Sequence, residues 1–543
     1  MKKSGKVIVV GGGMAGLTAT TYLAKNGVDV TLFEKSDHTG GLVNSFERNG
    51  FTYDGGIRSL EDSGILFTML KDLGIEMEWV NSKVSIGLEQ DVIKLKDKTS
   101  LDDYEAFLKR HFPKTHGEID RIMIVIKKIM GYMDVLYGIE NPIFMDMTAD
   151  PKYMRKVFLP WFIKYLGTVN KILKMNQPVE SYLENFSKDQ QLNDNITQHF
   201  FKHTPAFFAL SYFSLYLDYH YPLGGTGMLP KKVDELARKL GADIKLKTAI
   251  EVLDLENKYV IDNHGDKHDF DELIWAADLR SMYRSIPVDN LKKKKNIKAV
   301  TRKNEELKDI KGGESVFTLY LAVDIETDYF KKVCSEHFFY TPEITGLSML
   351  DSSVLDQLYA CKTPVDLEKI NSDIKTYIKN FFQLNTFEIS IPALRDPSLA
   401  PEGKTALVIS TLFDYEICRK FKDLNWYDEF KAYAEKCMVH TLSHSIYPDM
   451  DKKIIDQFSS TPLTMEEWTS NLHGALTGWA FTNKHIPVVH KITDMFDAVD
   501  TPLPHIFQAG QWTYCPAGFP IAMFTGKKAV DKVLKRLKKQ IKR

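Results

Sequence analysis

Residues 7–16 read Val-Ile-Val-Val-Gly-Gly-Gly-Met-Ala-Gly, an apolar β-branched run that ends on Gly11, Gly13 and Gly16. Leu17 to Asn26 then has the pattern of a helix, Gly27 is placed to end it, and Val28 to Phe33 reads as a second strand closing on Glu34. Strand, glycine-rich turn, helix, strand and acid within about 30 residues is the order of a dinucleotide-binding unit. Gly11 permits the tight turn, Gly13 lets the backbone approach a pyrophosphate, and Gly16 lets the helix pack closely on the strand. The helix N-terminus offers free N–H groups and a positive dipole end to phosphates. Glu34 can accept hydrogen bonds from two ribose hydroxyls, and its charge disfavours a 2′-phosphate.

The chain has 543 residues, which implies about three to four domain-sized units. A formal net charge of −1 gives no general attraction to nucleic acid. The five cysteines are odd in number and lack Cys-x-x-Cys pairing, which argues against a disulfide framework or a zinc site. The first strand starts at Lys6, with no room for a signal peptide ahead of it, and the longest uncharged stretch, Thr204 to Leu217, is too short to span a bilayer. A cytoplasmic protein is expected, with peripheral membrane contact open.

Farther along, Ile119 to Tyr137 and Tyr153 to Met175 carry apolar residues at helical spacing. Aromatic side chains crowd between Phe200 and Tyr221, as a buried helix or the wall of a tunnel would require. A turn at Pro222–Gly227 precedes a helix over Leu229 to Leu240 and strands at Asp243–Leu246 and Asp269–Ala276. Lys292 to Lys298, with Arg302 and Lys303, reads as a solvated basic loop. Ser315–Val323, Ile389–Ile391 and Ala406–Thr411 predict a mixed sheet, and helices follow from Leu424 to Ile446. The last strand, His505–Ala509, leads through Gly510 and Gly518 into a basic, amphipathic C-terminal helix.

Four stretches together resemble the phytoene desaturase and carotenoid isomerase family of FAD-dependent oxidoreductases, which includes retinol saturase-like enzymes within an amine oxidase-like superfamily. They are Val7–Glu34; Gly40-Gly41 with Phe51–Gly56; Tyr221–Leu229; and Ala509–Gln511 through Pro520, Ala522, Gly526 and Ala529. The resemblance implies an α/β architecture in three parts. A discontinuous Rossmann-type FAD-binding domain would comprise residues 1–95, 221–290 and 490–543. A helical, aromatic-rich insertion facing substrate or membrane would span 96–220, and a mixed-sheet substrate domain 291–489. It also implies FAD as cofactor and no metal. Gly11, Gly13, Met14, Ala15, Gly16, Glu34 and Lys35 would hold the ADP half, while Gly40, Gly41 and Leu42 follow the pyrophosphate. Gly56, Ile57 and Arg58 would lie near the ring system and Ile250 at the adenine. Gly510, Gln511, Gly518, Phe519, Pro520 and Ala522 would meet the ribityl chain and the pyrimidine edge. Two departures stand out: Leu42 replaces an arginine frequent in relatives, and Pro516–Pro520 replaces a run of glycines.

Flavin carries the electron chemistry in such enzymes, so a bare catalytic triad is not required. Arg58, two residues past Gly56, and His220, before the Tyr-Pro-Leu-Gly-Gly turn, are the candidate catalytic side chains. Arg58 could hold a substrate carboxylate or an anionic flavin, or pair with Glu61 or Asp62. Tyr514 and Cys515 read as packing residues near the ring. The function expected is desaturation, saturation or isomerisation of C=C bonds in a long apolar substrate such as a carotenoid, retinoid or fatty acyl chain. Amine or amino-acid oxidation on the same scaffold, and a non-catalytic flavin-binding membrane protein, are the alternatives. The partner expected is a lipophilic small molecule, and the basic C-terminal helix either packs on the domain with its other face in water or docks on an anionic membrane. Reaction direction, electron partner and oligomeric state are left open by the residues.

Overall fold

The structure is a computed structural model, and it describes residues 5–139, 144, 151–489, 492–516 and 518–541. The opening apolar run forms the strand Lys6–Val10, at the centre of a five-stranded parallel sheet. Asp29–Phe33 and then Asp243–Lys245 lie to one side of it, and Glu272–Trp275 and then Ile506–Gln508 to the other. Strand order reverses beside the first strand, where open α/β sheets form their binding crevice. The helix Met14–Lys25 starts three residues earlier than its apolar pattern suggested, because Gly13 serves as N-cap. A Cβ on Gly16 would overlap the carbonyl oxygen of Gly11, so that residue must be glycine for the helix to sit this close.

The chain's last helix, Phe519–Ile541, packs along the first. Their closest approach is at Gly526, where a Cβ would overlap the carbonyl of Ala15. Met523, Ala529, Val530, Val533 and Leu537 are buried there. Lys527, Lys532 and Arg536 on the same helix pair with Asp531, with Asp497 and Asp500, and with Glu272. The apolar stripe of this helix thus packs on the domain, and these cations pair with acids of the same chain.

A second sheet has seven strands, in the order Ile454–Ser460, Ser315–Val323, Thr405–Phe413, Phe387–Ser390, His337–Thr341, Val84–Leu88 and Asp91–Lys94. His337–Thr341 runs parallel to Val84–Leu88, and the other pairs are antiparallel. The last two strands come from within residues 1–95, so that stretch contributes to both sheets. Ser315–Val323 is buried at every position, covered on both faces. Phe317, Leu319 and Leu321 meet the helices Pro364–Leu384 and Tyr427–Ser443, while the alternate residues Thr318, Tyr320 and Ala322 face the other way. A third, small sheet sets Leu60–Glu61 and Trp79–Asn81 on either side of Tyr219–Pro222.

The helices Ser100–His111, His116–Leu136, Gln190–Thr197 and Ala206–Leu215 share a core with Val84 and Leu88 of the mixed sheet. Residues 294–306, expected as a basic loop, form a helix instead. Asn296 and Val300, four apart, turn inward while Lys294, Lys295 and Lys298 stay in water, so two buried positions were enough to anchor it. Among the described residues, no helix is long and apolar enough to cross a membrane.

Phe317, fully buried between the sheet and its helices, tests this packing. Phe317→Ala should cost about 3–5 kcal/mol, read as a lower denaturation midpoint for this unit. A loss below about 1 kcal/mol would show that the sheet face is not closed as described.

Candidate functional site

The two sheets, the small sheet and the insertion enclose one cavity of about 550 Å³. Every residue expected to bind the cofactor lines it except Gly16, which lies under the helix start. At one end, the carboxylate of Glu34 accepts hydrogen bonds from the Gly12 N–H at 2.6 Å and the Ser36 N–H at 2.8 Å. These fix the acid at the strand end with lone pairs left for hydroxyl donors. Above Gly13 there is open space, with no atom within 4 Å of where a Cβ would lie. Gly13 caps the first helix without a side-chain acceptor, and the first intrahelical bond runs from the Leu17 N–H to the Gly13 carbonyl. The N–H groups before Leu17 are therefore available to an anion. Gly40, held by the Gly12 carbonyl at 2.9 Å, brings the Gly40-Gly41 turn against this cradle. A dinucleotide diphosphate fits here: a fixed acid for a ribose, a bare backbone and an uncapped helix end.

Side-chain cations are scarce beside that cradle. Leu42 lines it where relatives carry arginine, and Lys35 is turned away, its ammonium donating to the Glu467 carbonyl and the Ser470 hydroxyl at 2.8 and 2.6 Å. Burial lowers the Lys35 pKa. Charge at the phosphates is thus met by peptide dipoles. Gly56 is constrained for a local reason, since a Cβ there would overlap the Leu42 carbonyl that accepts the Ile57 N–H. Ile250 lines the adenine end, and Gly510, Gln511, Gly518, Phe519, Pro520 and Ala522 line the start of the last helix. Gly510 has φ +94° and donates to the Thr525 hydroxyl at 2.9 Å. Tyr514 and Cys515 are buried and do not line the cavity.

The floor comes from the second sheet, and pairing across its strands explains the grouping. Thr318 faces Ser410, Ser410 faces Glu388, and Glu388 faces Phe339, so all four share one side. Arg58 reaches this row: NH1 donates to the Gly56 carbonyl at 2.6 Å, NH2 to the Ser410 hydroxyl, and Nε is buried without a partner. NH1 lies 4.0 Å from Glu388 Oε2. Its charge partner is therefore Glu388 on a distant strand, in place of the nearby Glu61 or Asp62. Burial opposes ionisation of Glu388, but Arg58 and then His337 outweigh it and hold the carboxyl down at about 2. His337 Nε2 is 3.0 Å from Glu388 Oε1, an electrostatic contact without hydrogen-bond alignment. Burial lowers the His337 pKa against the pull of Glu388.

His220 does not line the cavity. Tyr219, one residue earlier, faces it, so strand alternation turns His220 to the opposite side of the small sheet, edge-on against Phe67 at 4.8 Å. Histidines on the cavity wall include His199 and His337. Burial holds His199 down at about 4, and its Nε2 lies 3.0 Å from the Tyr216 hydroxyl.

Glu61, opposite Tyr219 in the register, does face the cavity. Its Oε1 would be 3.7 Å from a Cβ on Gly518, at the start of the last helix. Burial pushes its carboxyl up to about 7, its own N–H opposes this, and Asp218 adds to the rise. Phe200, Phe208, Tyr212, Tyr216 and Phe339 line the remaining wall. The helix Ala206–Leu215 thus fulfils both readings of its aromatics: Ala209, Leu210 and Phe213 enter the helical core while Phe208 and Tyr212 face the cavity. Glu388 and His337 were not singled out in the sequence; their signal is a polar residue at alternate positions of a short apolar strand.

Residues 9–73 match the family described as NAD(P)-binding Rossmann-like domain. The 4,4'-diapophytoene desaturase (4,4'-diaponeurosporene-forming) of Staphylococcus aureus strain COL is 23% identical, over 99% of this chain and 100% of that protein. An oxidoreductase from Methanosarcina mazei superposes with a TM-score of 0.61 at 13% identity, covering 98% of this chain and 100% of that one. Putrescine oxidase bound to putrescine gives 0.58 at 15%, covering 98% and 99%. A Rossmann cradle sharing one cavity with a mixed-sheet floor is the design of an FAD-dependent oxidoreductase, and this chain is one. Over its full length the chain is similar to that desaturase, in line with the motif resemblance already described.

Hydrogen bonds to a charged acceptor are worth roughly 1.5–3 kcal/mol. Glu34→Ala should therefore weaken FAD binding by about ten- to a hundredfold, measured by flavin fluorescence on titrating apoprotein. Unchanged affinity would mean that Glu34 only braces the turn.

Proposed function

We propose that the protein desaturates, saturates or isomerises C=C bonds of a long apolar substrate, with a carotenoid-type polyene as the leading class. The observation that carries this reading is the aromatic wall from Phe200 to Tyr219, continuous with the dinucleotide cradle in a single cavity. A desaturase that matches over the full length of both chains supports it.

When bound, FAD would supply the two-electron redox chemistry. The chain's own residues do the rest. The aromatic wall holds an apolar chain and excludes water. The carboxyl of Glu61, beside Gly518, exchanges its proton near neutral pH and so serves as proton acceptor or donor at the reacting carbons. Arg58 and Glu388 brace the sheet against the Gly55–Ser59 loop. Amine oxidation is the second reading, favoured by the ionised Glu388 carboxylate as a cation acceptor and by the likeness to putrescine oxidase. Mass spectrometry of copurified lipid, followed by anaerobic flavin bleaching on its addition, tests the first reading. Peroxide release with amines, and no bleaching with any polyene, would replace it with the second.

Glu61→Gln should lower kcat by about 10²–10⁴-fold, leave KM nearly unchanged and remove the limb near pH 7 from the pH–rate profile. The folded chain holds this proton up to about 7, above the ordinary 4.5, so the unfolded chain releases it first. Its contribution to stability is therefore intact below about 4.5, falls as pH rises to about 7, and levels off once the folded carboxyl is ionised. The thermal midpoint of the wild type should drop relative to Glu61→Gln between pH 5 and pH 8. A variant that keeps both the rate and the pH 7 limb would remove Glu61 from the proton path.

A further inference from the structure

The aromatic wall of the cavity is not apolar throughout. Phe339 stands at the centre of a set of rings, with His199, Tyr216 and His337 at 5.3, 4.9 and 5.1 Å between ring centres. Tyr219 closes the set, 5.9 Å from Tyr216 and 5.2 Å from His337, and Tyr212 adjoins it, 5.8 Å from Tyr216. All six rings line the cavity. On the sheet, His337 and Phe339 alternate on one side of their strand, with Phe339 opposite Glu388. On the insertion, Tyr212 and Tyr216 lie one helical turn apart at the end of Ala206–Leu215.

Every ring of the set except Phe339 carries a hydrogen-bonding atom, and few of these atoms are matched. One hydrogen bond joins two members, between His199 Nε2 and the Tyr216 hydroxyl at 3.0 Å. The Tyr212 and Tyr219 hydroxyls and His199 Nδ1 have no hydrogen-bond partner among the described residues. His337 Nε2, on a side chain 2% exposed, is buried without one. A buried tyrosine hydroxyl normally finds a partner. Covering these atoms with hydrocarbon would cost each the hydrogen bond that water supplies in the open. The set is also uncharged near neutral pH. Burial holds His199 at about 4 and lowers His337, so each imidazole has one donor and one acceptor nitrogen. Burial raises the phenols of Tyr212, Tyr216 and Tyr219 and keeps them protonated. On the adjoining floor, Arg58 and Glu388 stand 4.0 Å apart and offset each other's charge. A substrate carboxylate would meet Glu388 as a like charge, and an ammonium would compete with Arg58 for it. An uncharged oxygen accepts from a tyrosine hydroxyl and, as an alcohol, donates to an imidazole nitrogen.

We propose that the ring set around Phe339 is a receptor for one uncharged oxygen, a hydroxyl or a carbonyl, on an otherwise apolar substrate chain, with Tyr212, Tyr219 and the His199–Tyr216 pair as its hydrogen-bonding partners. This rests on the apolar-chain reading of the cavity and narrows it, from a hydrocarbon to an oxygenated isoprenoid or polyene. In a mostly apolar pocket a few convergent polar groups fix the orientation of the ligand. A site that hydrogen-bonds a substrate oxygen also rejects the analogue lacking it far more strongly than an apolar pocket separates two hydrocarbons.

Titration calorimetry of the full-length, FAD-loaded protein with farnesene, farnesol, farnesal, farnesoate and farnesylamine, one chain with different ends, tests it. Farnesol and farnesal should bind about tenfold or more tightly than the other three. The stronger of the two tells hydroxyl from carbonyl, and either in first place supports the proposal. Tyr212→Phe/Tyr219→Phe keeps both rings and removes only the hydroxyls. It should bring farnesol and farnesal to within about twofold of farnesene, whose own affinity stays where it was. Bound FAD reports that the variant is folded; if it loses FAD, the order of the wild-type affinities decides alone. Farnesene binding as tightly as farnesol would mean that water satisfies these groups, and would overturn the proposal. So would farnesoate or farnesylamine in first place, or a folded variant that keeps the full preference for oxygen. Failure of all the ligands to bind would remove the apolar-chain reading together with this one. Equal binding of farnesene and farnesol would leave that reading standing and strike this one alone.

Discussion

The close crossing of the first and last helices, at Gly526 against the Ala15 carbonyl, is the contact on which the site depends. Some five hundred residues separate these positions in the chain. Any side chain at Gly526 would push the helices apart and draw Gly518, Phe519 and Ala522 away from the Gly11–Gly16 turn. Gly510 tightens the same junction, since a Cβ there would be 3.4 Å from that of Ala15. With the crossing in place, two helix N-termini open into one cavity, one at the phosphate cradle and one beside Glu61. Their dipoles would place positive potential at the diphosphate of a bound dinucleotide and at the site beside Glu61.

A second constraint ties the mixed sheet to the Gly55–Ser59 loop and to the small sheet. Arg58 leaves the loop after Gly56 and donates to Ser410 on the mixed sheet. Arg395 runs the other way, donating to the Ser82 hydroxyl at 2.8 Å and the Ser390 hydroxyl at 2.9 Å, with its guanidinium over the Tyr221 ring at 4.7 Å. Burying two guanidinium groups is unfavourable unless their donors are matched, and serine and threonine hydroxyls along the sheet's inner face do most of that matching. Truncating either arginine would leave Glu388 or these hydroxyls buried with fewer partners.

The parts legible in the sequence are those governed by local rules. Ser315–Val323 was read with its observed bounds because nine consecutive apolar or small residues suit a strand covered on both faces. The glycine turn, Glu34 and the last helix were equally plain. What escaped notice depends on pairing between distant segments. Glu388, Ser410 and Thr318 form a row only after three strands have found their register. His220 was a candidate for the cavity wall, and at strand periodicity one residue is the difference between cavity wall and outer face. The 294–306 helix was hidden because its buried positions, Asn296 and Val300, are too few to show a period. In the C-terminal helix the amphipathic pattern was correct, but a pattern does not name its partner, and the partner is the first helix.

Arg58 also bears on the choice of substrate. As a receptor for a substrate carboxylate it would need free donors directed into the cavity. NH1 is engaged by the Gly56 carbonyl and NH2 by Ser410, with Thr318 at 3.4 Å, and Nε is sealed in the interior. Glu388 already stands beside it as counter-ion, so a second carboxylate would meet a like charge across a buried site. An amino-acid substrate would therefore have to break the brace that holds the mixed sheet against the Gly55–Ser59 loop. An apolar chain lying along Phe208, Tyr212 and Tyr216 requires no such break and leaves Arg58 to its structural work.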